Sequence, residues 1–143
     1  MAGTEKRLRV VVAVPLREEL CRLIEELEPR IDLLRDHALL PPMRGPADWS
    51  GDPEFVRTPE QQEAFDALVD SADALFGIPD VTASALARTV DANPGLRWVM
   101  TTAAGGGGTV KAAGLDRGRW IASSSPRARA CMAARSRSSR CSA

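Results

Sequence analysis

Strand-like and helix-like segments alternate four times between residues 8 and 113, and this rhythm limits the fold more than any single motif. Residues 8–14 (LRVVVAV) form a β-branched run without polar alternation, the pattern of a strand covered on both faces. Pro15 ends it. Over residues 17–27, Leu20, Leu23, Ile24 and Leu27 recur at the spacing of an amphipathic helix, and Cys21 falls on its apolar face. Pro29 stops that helix, and residues 31–34 (IDLL) read as a second strand. Thr58-Pro59-Glu60-Gln61 is a helix start: Thr58 caps, Pro59 suits the first helical position and Gln61 completes a capping box. That helix carries Phe65, Leu68 and Val69. Residues 73–77 (DALFG) predict a third strand. Thr82 caps the next helix, with Leu86 and Val90 on its inner face, and Asn93-Pro94-Gly95 breaks it. Residues 96–100 (LRWVM) predict a fourth strand, and a short helix is expected from Thr109 to Ala113, closed by Gly114. This order predicts an α/β, flavodoxin-like, doubly wound parallel sheet of about four strands. Ligands of such sheets bind at the carboxyl ends of the strands, here the loops 77–80 and 101–108.

The chain has 143 residues, enough for one domain with a core. No apolar run approaches the ~18–20 residues that cross a membrane. The basic residues Lys6, Arg7 and Arg9 precede an apolar run, but Arg17, Glu18 and Glu19 follow at once without a small-residue cleavage site. The run is read as a strand, not a signal peptide, and a cytoplasmic protein is expected. Cys21, Cys131 and Cys141 are odd in number and match no zinc spacing; Cys21 reads as a buried small hydrophobe. Residues 37–57 form a long loop rich in Pro and Gly, the kind that carries function or a lid. Within it, Trp49 and Phe55 are expected to pin the loop rather than touch a ligand, and the lone His37 has no motif around it.

Gly105–Gly108 follow a strand and open a helix, so their backbone N–H groups are placed to meet an anion. The run is neither a dinucleotide fingerprint, since Val110 stands where the third glycine belongs, nor a P-loop, since no Gly-Lys-Ser/Thr follows. In context it says more. ADALFGIPD (72–80), NPGLRWVMTTAAG (93–105) and VKAAGLD (110–116) together resemble the first domain of D-isomer-specific 2-hydroxyacid dehydrogenases, which use NAD. The resemblance covers residues 8–116. It implies that main-chain N–H groups of the turn after the fourth strand hold the carboxylate of a 2-hydroxy or 2-keto acid. On this chain those groups belong to Ala104 and Gly105, with Gly106 as a third. In that family the cofactor domain, inserted after about five strands, carries the dinucleotide fingerprint, a catalytic Arg and a Glu–His pair. Beyond residue 116 this sequence has no G-x-G-x-x-G and no histidine. No catalytic, cofactor-binding or metal residue is assigned, and NAD is not expected to bind this chain.

The remaining residues, 117–143, break the pattern. All 19 acidic residues of the chain lie in positions 1–116 beside 12 of its 19 Lys and Arg, whereas the tail holds seven Arg and no acid. Two readings follow. The first is a disordered basic arm on a small α/β binding module, with salt-dependent affinity for nucleic acid. The second is a frame change in a GC-rich gene. When the third base of each codon is joined to the first two of the next, Arg119 onward reads VDRVVFTSGAGVHGGPLAEFAVFG under permitted third bases. That string has a strand, a glycine-rich turn and a helix start, and it resembles the hinge into the cofactor domain of the same dehydrogenases. Trp120-Ile121 and Met132-Ala133 fix an Asp and a Gly without choice. The frame reading is favoured, so the expectation is a truncated dehydrogenase domain (1–116), inactive alone, followed by an out-of-frame tail (117–143). Membrane and nucleic acid are not expected partners. The substrate acid, NAD against NADP and the oligomeric state are left open. A phosphoacceptor signalling domain is disfavoured, because Arg17 intervenes before Glu18 and Glu19 where paired acids would follow the first strand.

Overall fold

The computed structural model describes residues 6–103 and 105–115. Four strands, β1 (Leu8–Val12), β2 (Ile31–Leu34), β3 (Ala74–Phe76) and β4 (Trp98–Met100), form one sheet in the order β2-β1-β3-β4. Every pairing is parallel. Between them run α1 (Glu18–Leu27), α2 (Pro59–Asp70), α3 (Ala83–Ala92) and, after β4, α4 (Gly106–Ala112). The doubly wound, flavodoxin-like sheet expected from the alternation is the fold observed. Parallel neighbours need crossovers, and right-handed crossovers place α1 on one face and α2 and α3 on the other, because the chain steps one way from β1 to β2 and the other way from β2 to β3 and on to β4. α3 packs against both α2 and α4, whereas α1 packs on β2.

The register aligns Val11 with Leu34 and Leu75, and Leu75 with Val99, so one apolar row crosses the sheet. Around it Phe65, Val69, Leu86 and Val90 from α2 and α3 close the core. The α2 capping box forms as the sequence predicts: Thr58 Oγ1 accepts from the Gln61 N–H at 3.2 Å and Gln61 Oε1 accepts from the Thr58 N–H at 2.9 Å. Thr82 caps α3 by accepting from the Ala85 N–H. Asn93, read in the sequence only as a breaker, is buried. Its amide donates to the carbonyls of Val69 (3.2 Å) and Ala72 (2.8 Å), tying the end of α3 to the end of α2.

Two expectations need correction. The first is the set of α1 leucines. The helix forms, but Cys21 (0% exposed) points inward, while Leu20 (44%), Leu23 (47%) and Leu27 (74%) face outward. The reason lies next to Cys21: Glu18 and Glu25 flank it on the inner side and are clamped by Arg35, just beyond β2, which fixes the helix's rotation. The second is the start of α4. The helix begins at Gly106, not Thr109, so three of the four glycines lie in its first turn. Strands are also shorter at their ends than the sequence suggests, β1 stopping at Val12 and β4 starting at Trp98.

Among the described residues no helix is long and apolar enough to cross a membrane. The basic tail, residues 117–143, and with it the strand read there in the alternative frame, fall outside the described residues. Within them, β4 forms one edge of the sheet and β2 the other.

Candidate functional site

The order β2-β1-β3-β4 reverses direction between β1 and β3, and the carboxyl ends of these strands open a crevice there. A cleft of about 370 Å³ occupies it. Ala13, Val14 and Pro15, which follow β1, form its floor, and Asp80 and Val81, which follow β3, form one wall. The opposite wall is the long loop, through Trp49, Phe55 and Arg57. Trp49 is half-buried and stands 6.5 Å from the Phe76 ring, so it does pin the loop to the sheet, and it lines the cleft as well.

Arg57 is the side chain that holds this wall in place. It is 7% exposed. Its Nε donates to the Leu39 carbonyl at 2.6 Å and its Nη1 to Asp80 Oδ1 at 2.8 Å. Its guanidinium carbon lies 3.8 Å from the centre of the Phe65 ring, a cation–π contact in a dry setting. The Arg57–Asp80 pair thus joins the loop to the turn after β3. That turn is strained: Asp80 (φ 54°) and Val81 (φ 54°) both adopt left-handed backbone, which is costly for a β-branched residue. Two hydrogen bonds hold it, from the Val81 N–H to the Ile78 carbonyl (2.9 Å) and from the Thr82 N–H to the Pro79 carbonyl (3.3 Å). Gly77 precedes the turn at φ +92°, and a Cβ there would sit 2.5 Å from the Val14 side chain. The chain after β3 therefore lies directly against the chain after β1.

A second, smaller hollow of about 80 Å³ lies at the end of β4, lined by Ile78, Val81, Thr101–Ala103, Gly105, Gly106 and Thr109. Val81 borders both spaces. Of the three residues expected to offer N–H groups, Gly105 and Gly106 line this hollow, and Ala104 lies outside the described residues. Gly105 caps α4 in the left-handed region (φ +86°), and the Gly106 N–H donates to the Ala103 carbonyl at 3.1 Å. Gly106 also packs on Thr101, whose Cβ is 2.5 Å from where an alanine methyl would sit. The loops 77–80 and 101–108 were legible in the sequence as the informative ones. Arg57 was not, because an arginine before a Thr-Pro cap has no distinguishing pattern; only its burial singles it out.

Glu18, Cys21 and His37 bring one ligand atom each within 4.8 Å of one another. The chemistry of the cluster is that of an ion-pair network. Glu18 gives both carboxylate oxygens to Arg35 (2.6 and 3.0 Å), and His37 Nε2 lies 2.8 Å from Glu18 Oε2. The Arg35 hydrogen bonds, with that of His37, hold the Glu18 carboxyl far below the usual carboxylate range. Glu18 and Glu25 in turn push Arg35 further up. Burial raises the Cys21 thiol, so it stays protonated and inert. A guanidinium already seated on the carboxylate opposes a metal cation at the same place.

No dinucleotide fingerprint is present among the described residues. The turn after β4 has Val110 where the third glycine of the fingerprint would stand. Comparison with protein-family models, with curated proteins and with solved structures finds no match for this chain. The geometry therefore supports a small α/β domain with a pocket for a small organic ligand.

Proposed function

We propose that residues 1–116 are the substrate-side domain of an NAD-dependent D-2-hydroxyacid dehydrogenase, and that residues 117–143 are a continuation read out of frame. The parent reaction is hydride exchange between nicotinamide and a 2-hydroxy or 2-keto acid. The single observation that carries this reading is the pair of adjoining spaces at the carboxyl ends of β1, β3 and β4, which meet at Val81. On this reading the glycine-capped turn takes the acid's carboxylate through the N–H groups of Ala104 and Gly105, whose dipoles are fixed by the backbone. Gly106, whose N–H already serves Ala103, positions the turn through its contact with Thr101. The cleft beside Trp49, Phe55 and Arg57 takes the rest of the molecule. On this reading the hydride acceptor and the acid–base histidine belong to the parent enzyme's cofactor domain, and the chain alone is expected to bind without turnover.

The test is a titration of the full chain with a 2-keto acid such as 2-oxobutyrate, followed by amide NMR shifts. The expected result is millimolar, saturable binding with the largest shifts at Gly105, Gly106 and Val81, and no binding of NADH in the micromolar range. Micromolar NADH affinity, or keto-acid shifts confined elsewhere, overturns the reading. DNA binding that falls steeply with salt and vanishes on removal of residues 117–143 would instead favour the basic-arm module.

A further inference from the structure

Arg57 has more hydrogen-bonding capacity than its surroundings use. Its side chain is 7% exposed, and its bonds run from Nε to the Leu39 carbonyl and from Nη1 to Asp80 and, at 3.4 Å, to Gln62. Nη2 carries two further N–H groups, and they have no hydrogen-bond partner among the described residues. The Phe65 ring, 3.8 Å from the guanidinium carbon, answers the charge but offers no lone pair. Idle donors on a buried cation are costly, and these belong to a side chain that lines the cleft. The acids of the same lining have free capacity of the opposite kind. Asp80 accepts from Arg57 through Oδ1, and Asp52 accepts from the Glu54 N–H through Oδ1 at 2.9 Å. Oδ2 of each has no hydrogen-bond partner among the described residues.

These groups discriminate between the side chains that a ligand brings. An alkyl group accepts nothing and leaves Nη2 as it is. A carboxylate accepts, but the charged residues of the lining are the cation Arg57 and the two acids Asp52 and Asp80, so a further anion meets more negative charge than positive. A hydroxyl group accepts from Nη2 and donates to a free carboxylate oxygen, and so uses both. We propose that Arg57, with Asp52 and Asp80, reads a hydroxyl group on the side chain of the ligand, so that the cleft selects hydroxylated 2-keto acids over apolar and dicarboxylic ones of matched length. The keto-acid part of this statement rests on the proposed function; the hydroxyl part rests on the cleft alone. Arg57 is then a specificity-determining residue as well as the fastening of the loop.

The experiment titrates the full chain with 2-oxopentanoate, with 4-hydroxy-2-oxobutyrate, in which a hydroxyl replaces the last methyl, and with 2-oxoglutarate, in which a carboxylate does. Erythritol, a polyol without a carboxylate, is the fourth probe. The readouts are the dissociation constants, the amide shifts of Gly105 and Gly106, and the side-chain Nε–H resonance of Arg57, which its bond to Leu39 protects from exchange. The hydroxy acid is expected to bind about tenfold more tightly than 2-oxopentanoate, and 2-oxoglutarate no more tightly than 2-oxopentanoate. The hydroxy acid and erythritol move the Arg57 resonance, and 2-oxopentanoate does not. In Arg57→Lys, whose single ammonium is taken by Asp80, the tenfold preference falls to near one. Equal affinity for the hydroxy and apolar acids, or tightest binding of 2-oxoglutarate, overturns the proposal on the native chain, whether or not the variant folds. The proposed function survives that result if Gly105 and Gly106 respond to all three acids. If no acid moves Gly105 or Gly106, the proposed function fails and erythritol alone decides the hydroxyl reading: a shifted Arg57 resonance supports it, and an unmoved one overturns it.

Discussion

At the residue scale, the four glycines after β4 are not equivalent. Gly105 sits in the left-handed region and Gly106 is pressed against Thr101, whereas Gly107 and Gly108 have open space around the missing Cβ and lie in a helix. Gly107→Ala and Gly108→Ala should each stabilise the domain by about 0.5–1 kcal/mol, since alanine loses less backbone freedom in a helix. Gly106→Ala should destabilise it and disturb the turn proposed to hold the carboxylate. Urea denaturation of the three variants checks the order. Arg57 is the second residue-scale prediction. Arg57→Met keeps the apolar stem but removes the bonds to Leu39 and Asp80, with an expected loss of about 2–3 kcal/mol. The measurable signature is a released turn at Asp80–Val81, seen as amide-exchange protection lost at Val81 and Thr82. Unchanged protection there would mean that the turn's own backbone hydrogen bonds hold it without the Arg57–Asp80 pair. The glycine run was visible in the sequence, but which glycines matter was not, because that depends on Thr101 and Val14, distant in the chain and near in space.

At the element scale, helices with local signals were the most legible. The Thr58–Gln61 capping box and the Thr82 cap are written in adjacent residues, and both form as read. The rotation of α1 was illegible, because two rows of the helix offer apolar side chains and the choice between them is made from outside, by Arg35. This clamp makes a pH prediction. The folded Glu18 carboxyl lies below its ordinary value near 4.5, so its contribution to stability is present above that value and is lost as pH falls further. The melting temperature should therefore drop below pH 4.5, and Glu18→Gln should flatten that part of the profile while lowering stability at neutral pH. A Glu18→Gln profile parallel to wild type would place the acid sensitivity elsewhere, with Asp48 beside Arg44 the next carboxylate to examine, since that guanidinium also holds it low.

At the scale of the whole molecule, the sheet has a well-covered centre and an open β4 edge among the described residues, with Trp98 38% exposed on that strand. Edges of this kind template association. The chain is expected to melt at low temperature and to scatter light irreversibly as it does so, and a cooperative, reversible melt of a soluble monomer above about 60 °C would contradict this. The alternation of elements was enough to read the architecture, because parallel strands joined by helices leave few topologies. In the sequence, the proposed function rests on the resemblance and the charge split, and the paired spaces at the strand ends support it only alongside them, since a switch-point cleft serves many chemistries. The measurement that most directly tests the central claim is the gene sequence across the codons for Leu115 to Trp120 and downstream. The account predicts that one inserted or deleted base restores VDRVVFTSGAGVHGGPLAEF and an open frame containing a dinucleotide fingerprint. An intact frame here, with stops soon interrupting the other two, would contradict it and make the basic tail a genuine part of the protein.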